Sequence, residues 1–158
     1  MEQSVDLTMR AGSTGHHLAR EVAELFCLAQ ILTGDDDAAI ALVMKAMDSQ
    51  TAVRRTVIEA ACDLLSPEIK SAAQKVYDGS SFHDGLTAGS LGVALNFETL
   101  RSALLEMNLL IRLVWVLRLA EGYSTMETAK LLHVEPWLVG KALAAAMIRL
   151  ASIFQSQS

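Results

Sequence analysis

From residue 122 the chain reads Gly122-Tyr123, then Ser124-Thr125-Met126-Glu127, a short apolar-periodic stretch to Leu132, the tripeptide His133-Val134-Glu135, and Pro136 heading a longer periodic stretch. No other segment narrows the fold as far. Serine followed three residues later by glutamate makes a capping box, in which each side chain satisfies the other residue's backbone N–H. Proline at a helix start gives up an N–H that would have no partner there anyway. Val139, Leu143, Met147 and Leu150 then recur at helical spacing and give the last helix one buried face. Before this segment, Leu100, Leu104, Met107, Ile111, Val114 and Leu117 predict a long helix to Ala120, ended by Glu121-Gly122. A helix, a three-residue turn and a longer helix packed on a preceding helix predict a helix-turn-helix.

The N-terminal half is helical as well. Leu18, Val22, Leu25, Phe26, Ala29 and Leu32 form one apolar face, which stops at Thr33-Gly34. Asp35-Asp36-Asp37 then places acid at the start of a second helix, where the dipole favours it, and that helix carries Ile40, Val43, Met44 and Met47. Val53, Val57, Ala61, Leu64 and Leu65 give a third helix. Ser66-Pro67 reads as the cap and first turn of a fourth, with Ile69, Ala73 and Val76. Residues 78–92 (DGSSFHDGLTAGSLG) hold no sustained period and read as a boundary. The expected organisation is all-α, two small helical bundles joined by a linker. It comprises a polar leader at 1–16, an N-terminal helical domain at 17–77, the linker at 78–98, the helix-turn-helix domain at 99–154 and a tail at 155–158.

Composition excludes several function classes. With 158 residues and 52% apolar content the chain can bury a core, while two prolines and 5% aromatics favour helices over strands. The net charge of -5 opposes a broad cationic surface for nucleic acid, and bases exceed acids only beyond residue 100. Cys27 and Cys62 form no CxxC or Cys/His spacing and read as buried reduced thiols. The first twenty residues lack the basic start and apolar run of a secretory signal, so a cytoplasmic protein is expected. The apolar stretch 103–120 is interrupted by Glu106, Arg112 and Arg118, taken as a wet face and so as no membrane span. Asp35-Asp36-Asp37 lacks the spread of oxygen ligands a calcium loop needs, and His16, His17, His83 and His133 make no metal spacing. No metal, cofactor or catalytic constellation is expected, and the protein reads as a non-enzyme. Met44, Met47, Met107 and Met147 read as adaptable core.

Two motifs carry a resemblance. The stretch RLVWVLRLAEGYSTMETAKLLHVEPWLVGKALAAAMIRL is similar to the promoter-reading domain of bacterial RNA polymerase sigma factors of the extracytoplasmic-function type. The matching points are Leu117-Arg118, Gly122-Tyr123-Ser124, Glu127 to Ala129, Val139, and Ala146 to Leu150. LAQILTGDDDAAIALVMKAM resembles the family's polymerase-binding segment. The resemblance implies two helical domains around a flexible linker, RNA polymerase as partner, and DNA contact through the last helix.

The contact positions depart from that pattern. Where the family carries Thr, Lys, Arg and Ser on the last helix, this chain has Leu138, Gly140, Lys141, Ala142, Ala144 and Ala145. Alanine and glycine make no bidentate base contact, so direct readout is depleted. Where the family has Glu-Asp-Leu-Val-Gln-Glu against the polymerase, the chain has Ile40-Ala41-Leu42-Val43-Met44-Lys45. Only Arg54 and Arg55 stand in a stretch without aromatics between Phe26 and Tyr77, where the family melts promoter DNA. Lys130, Lys141 and Arg149 are the candidate DNA contacts. Trp137, Leu138, Gly140, Ala142, Ala145, Ile40 and Met44 are the candidate partner contacts, with Trp137 and Leu138 expected as an exposed anchor pair. Three readings stand open. The first is a sigma-like regulator acting through protein contacts, as an imitation of a sigma factor toward an anti-sigma-type partner or as an adaptor. The second is an active sigma factor with weak DNA binding of its own. The third is a helical homodimeric adaptor with no role at promoters.

Overall fold

A computed structural model describes residues 6–49, 52–79 and 97–155. Among these residues the chain is all-helical and holds no strand. The order is α1 (Asp6–Thr33), α2 (Asp36–Met47), α3 (Val53–Leu64), α4 (Ser66–Tyr77), α5 (Phe97–Glu106), α6 (Leu109–Trp115) with a π-helical continuation (Val116–Ala120), α7 (Thr125–Leu132) and α8 (Pro136–Gln155). Two compact units divide the chain, Met1–Ile58 and Glu59–Ser158. The division falls within α3, and α4, expected with the N-terminal helices, packs on α6 inside the second unit. Most of the expected linker, residues 80–96, lies outside the described residues.

In the first unit α1 packs along α2. α1 starts at Asp6, so helix extends into the segment expected as a leader. Gly34, at φ 71°, ends α1 in the left-handed region that costs glycine little. Asp35 then caps α2 as its charge and position predict, its side chain accepting from the Ala38 N–H at 2.7 Å. The core joins Ala29 to Ala39, Val43, Ala46 and Val57, with Val22, Leu25, Phe26 and Val53 partly buried against it. Small residues face the neighbour and let the two helices approach closely. Ile40, Met44 and Met47 consequently turn outward, and Leu18 is exposed as well. Three of the four methionines read as core, Met44, Met47 and Met147, are therefore exposed, and only Met107 is buried.

The second unit departs from its sequence reading at three points. Ser66 lies within α4 and does not cap it. The cap position is Leu65, which makes no side-chain hydrogen bond, and Pro67 still occupies the first turn. The long helix expected from Leu100 to Ala120 is broken at Met107-Asn108, where the Asn108 side chain accepts from the Leu110 N–H at 2.9 Å and starts α6 afresh. Beyond Trp115 the winding loosens to π, closed by Glu121 N–H donating to the Val116 carbonyl at 2.9 Å. This changes what the arginines do. Arg112 is buried, donates to the Leu105 carbonyl at 3.3 Å, and has its pKa lowered by loss of water. Arg118 is half-buried and donates to the Tyr123 carbonyl at 2.5 Å. The wet face expected from Glu106, Arg112 and Arg118 is not formed, because two of the three cover backbone carbonyls around the break and the π turn.

Cys62 is buried and its thiol is pushed up to about 12, first by burial and then by Asp63 and Glu59, while Cys27 is half-buried. Both are free thiols.

Candidate functional site

The segment that constrained the fold in sequence forms as expected. Ser124 Oγ accepts from the Glu127 N–H at 3.1 Å and Glu127 Oε2 accepts from the Ser124 N–H at 2.7 Å, so both halves of the capping box are present. α7 ends at His133, whose φ of 53° puts it in the left-handed region without being glycine. The turn His133-Val134-Glu135 delivers the chain to Pro136, and α8 packs against both α6 and α7.

Burial divides α8 lengthwise. Leu138, Val139, Ala142, Ala146 and Leu150 face inward, and Leu138 and Ala142 are 0% exposed. Both were expected on the contact surface. They fail there because α8 docks through its small and branched residues, with Leu138 seated one residue past the exposed Trp137. Ala145 is half-buried, on the flank. The outward face carries Trp137 (53% exposed), Gly140, Lys141, Ala144, Met147 (50%), Ile148 (69%) and Ala151. These positions recur every three or four residues and make a continuous apolar stripe with Lys141 as its charge. Among the described helices α8 is the one long and apolar enough to cross a membrane by length and composition, yet only 28% of its window Pro136–Ile153 is buried. α8 therefore carries apolar side chains on its outward face as well as on its buried one.

The candidate DNA contacts separate. Lys130 on α7 and Lys141 on α8 are exposed. Arg149 is not on the outward face: its side chain is 14% exposed and its Nη2 lies 3.9 Å from Glu106 Oε2 of α5. Of the N-terminal candidates, Ile40 (47% exposed) and Met44 (65%) stand on the outer side of α2. A groove of about 340 Å³ lies elsewhere in that unit, lined by Leu18, Val22, Leu25, Met47 and Val53, with Glu21, Glu24 and Arg54 at its edges. Among the described residues no group of three or more His, Cys, Asp or Glu is placed to hold a metal.

One contact at the head of α8 had no signal in the sequence. Tyr77, the last residue of α4, stacks on Trp137 with ring centroids 5.6 Å apart and planes tilted by 60°. Its hydroxyl accepts from the Glu135 N–H at 3.1 Å. The fourth helix thus ends against the residue that opens the outward stripe. A contact across 58 residues leaves no local pattern to read.

An all-helical protein with a short helix, a tight turn and a partly exposed apolar helix is the class these features define. A solved structure sharpens it. The chain is similar to the sigma factor RpoE of Bartonella quintana, determined in complex with the anti-sigma factor NepR, with a TM-score of 0.56 over 90% of this chain and 97% of that one at 15% identity. The likeness shows a sigma-factor-like fold. No protein-family profile matches the sequence, and no curated protein does.

Proposed function

We propose that this chain is a sigma-like regulator of transcription that works through protein contacts, with an anti-sigma-type protein as its partner. It acts in the bacterial cytoplasm without catalysis or cofactor, and the outward face of α8 is its principal contact surface. The observation that carries this reading is that face itself. On a sigma-like fold, the last helix turns Trp137, Ala144, Met147 and Ile148 to solvent with Lys141 as the charge among them. Phosphate affinity needs several cations, whereas an apolar stripe with an aromatic anchor suits a protein partner. The structural neighbour was captured with an anti-sigma factor, which supports that class of partner.

The test uses purified components. The full chain is mixed with core RNA polymerase and promoter DNA, and separately with an anti-sigma factor already holding its sigma factor. The reading expects no run-off transcript in the first reaction and release of the sigma factor in the second. A run-off transcript that depends on the chain, without any release, would defeat it. That outcome would establish the second reading, an active sigma factor whose helix-turn-helix anchors through the exposed Lys130 and Lys141.

A further inference from the structure

We infer that the outward face of α8 pairs with the same face of a second copy, the two helices antiparallel about a two-fold axis at Ala144. The inference rests on how large and small residues are spaced along the stripe. Laid antiparallel on itself with Ala144 facing Ala144, the helix sets Trp137 against Ala151, Ile148 against Gly140 and Met147 against Lys141. Each bulky exposed side chain meets a small one or a flexible stem. A two-fold interface demands such self-complementarity, since residue i must fit residue j in both directions at once. Gly140 supplies open room for the incoming Ile148, because a Cβ added at Gly140 meets nothing within 4 Å.

Area fits the same occupant, and the like charges that the pairing brings onto one face stand apart. α8 contains no acid, and Lys141 is the charge on the stripe. Antiparallel pairing holds the two lysines about 9 Å apart along the axis, at 1.5 Å per residue, and lets each stem cover the opposite methionine. With Trp137, Met147 and Ile148 half or more exposed, the stripe offers on the order of 500 Å² per copy, so about 1,000 Å² in all, the lower bound of a specific interface. This is the size of a weak, reversible dimer, with Kd of about 1–100 μM. Self-association would cover the face assigned to the partner, so partner and second copy would exclude each other. The pairing itself does not depend on what the partner is.

Sedimentation equilibrium on the full chain alone, from about 1 μM to about 1 mM, tests the pairing. The expected mass rises with concentration from 17.1 kDa to twice that value. Gly140→Leu fills the seat of Ile148 and is expected to weaken association by about 10-fold or more while keeping helicity, since the monomer has room for it. Ile148→Ala is expected to weaken it comparably, by about 10-fold. The double variant, with leucine now facing alanine across the axis, is expected to recover to within about 3-fold of the wild type. A chain that stays monomeric throughout overturns the inference and leaves the face to a different protein. Wild-type association by Gly140→Leu, or folded double variants no better than the singles, overturns the antiparallel register. None of these results depends on sigma release, which tests the proposed function separately.

Discussion

α2 and α8 solve one packing problem in the same way and end with different surfaces. Each docks through small residues, Ala39 and Ala46 on α2 and Ala142 and Ala146 on α8, and each turns bulky apolar side chains outward. The surroundings differ. Ile40, Met44 and Met47 share α2 with Asp36, Asp37 and Lys45, with Asp35 and Asp48 at its ends, so charge borders the apolar stripe along its length. α8 carries no acid, and its outward stripe holds Lys141 alone. Covering the α2 stripe would strip water from several charges, whereas covering α8 desolvates one. Exposed apolar area by itself therefore does not mark the stronger contact surface. The polar groups that must be dried along with it decide, and they favour α8.

The largest effect that sharpens this comparison separates neighbours on α8. Leu138→Ala removes a fully buried side chain and is expected to lower unfolding stability in urea by about 2–5 kcal/mol. An effect below about 1 kcal/mol would mean that α8 does not dock through this face. Next in size, Ala46→Leu on α2 forces extra volume into a site 1% exposed, and a loss of about 1–3 kcal/mol is expected in the same assay. If it is neutral, the close approach of α1 and α2 is looser than the alanines indicate. Trp137→Ala should barely move stability beyond the Tyr77 stacking, about 0.5–1.5 kcal/mol. It should weaken binding to an anti-sigma-type partner by about 2 kcal/mol, read by titration calorimetry. Unchanged affinity would remove Trp137 as the anchor and weaken the case for α8. Smaller again, His133→Gly relieves the left-handed backbone between α7 and α8 and should stabilise by up to about 1 kcal/mol in thermal unfolding. A destabilising result would show the imidazole making a contact that outweighs the strain.

The parts of this fold that the sequence disclosed are those written in local chemistry. Asp35 after Gly34 and the Ser124/Glu127 box declare helix ends through hydrogen bonds made within four residues, and Pro136 declares one by lacking the N–H that a helix start leaves without a partner. Faces were harder to read. Periodicity points bulky apolar residues such as Met44 and Met47 toward the core, whereas the close packing of α1 on α2 buries Ala39 and Ala46 in their place. Leu138 and Trp137 stand side by side in sequence, and only the docking of α8 on α6 and α7 decides which is covered. The break at Asn108 and the π turn after Trp115 were hidden because an unbroken 3.6-residue pattern continues through both. Tyr77 on Trp137 is a product of tertiary packing alone.

Met44→Lys is the smallest change and the most direct way to break the comparison. Met44 is 65% exposed, and the new ammonium would stand one turn before Asp48, the C-cap of α2. A lysine at this spacing and near a helix C-terminus is worth a few tenths of a kcal/mol, so stability should stay within about 0.5 kcal/mol of the wild type. Its value lies in the binding assay. If α8 is the principal contact, a charge on α2 leaves affinity for the anti-sigma-type partner within about 3-fold, because the α2 stripe stays wet in the complex. If the same substitution costs as much as Trp137→Ala, the α2 stripe is dried on binding despite its charged border. The desolvation argument that ranks α8 above α2 would then be wrong.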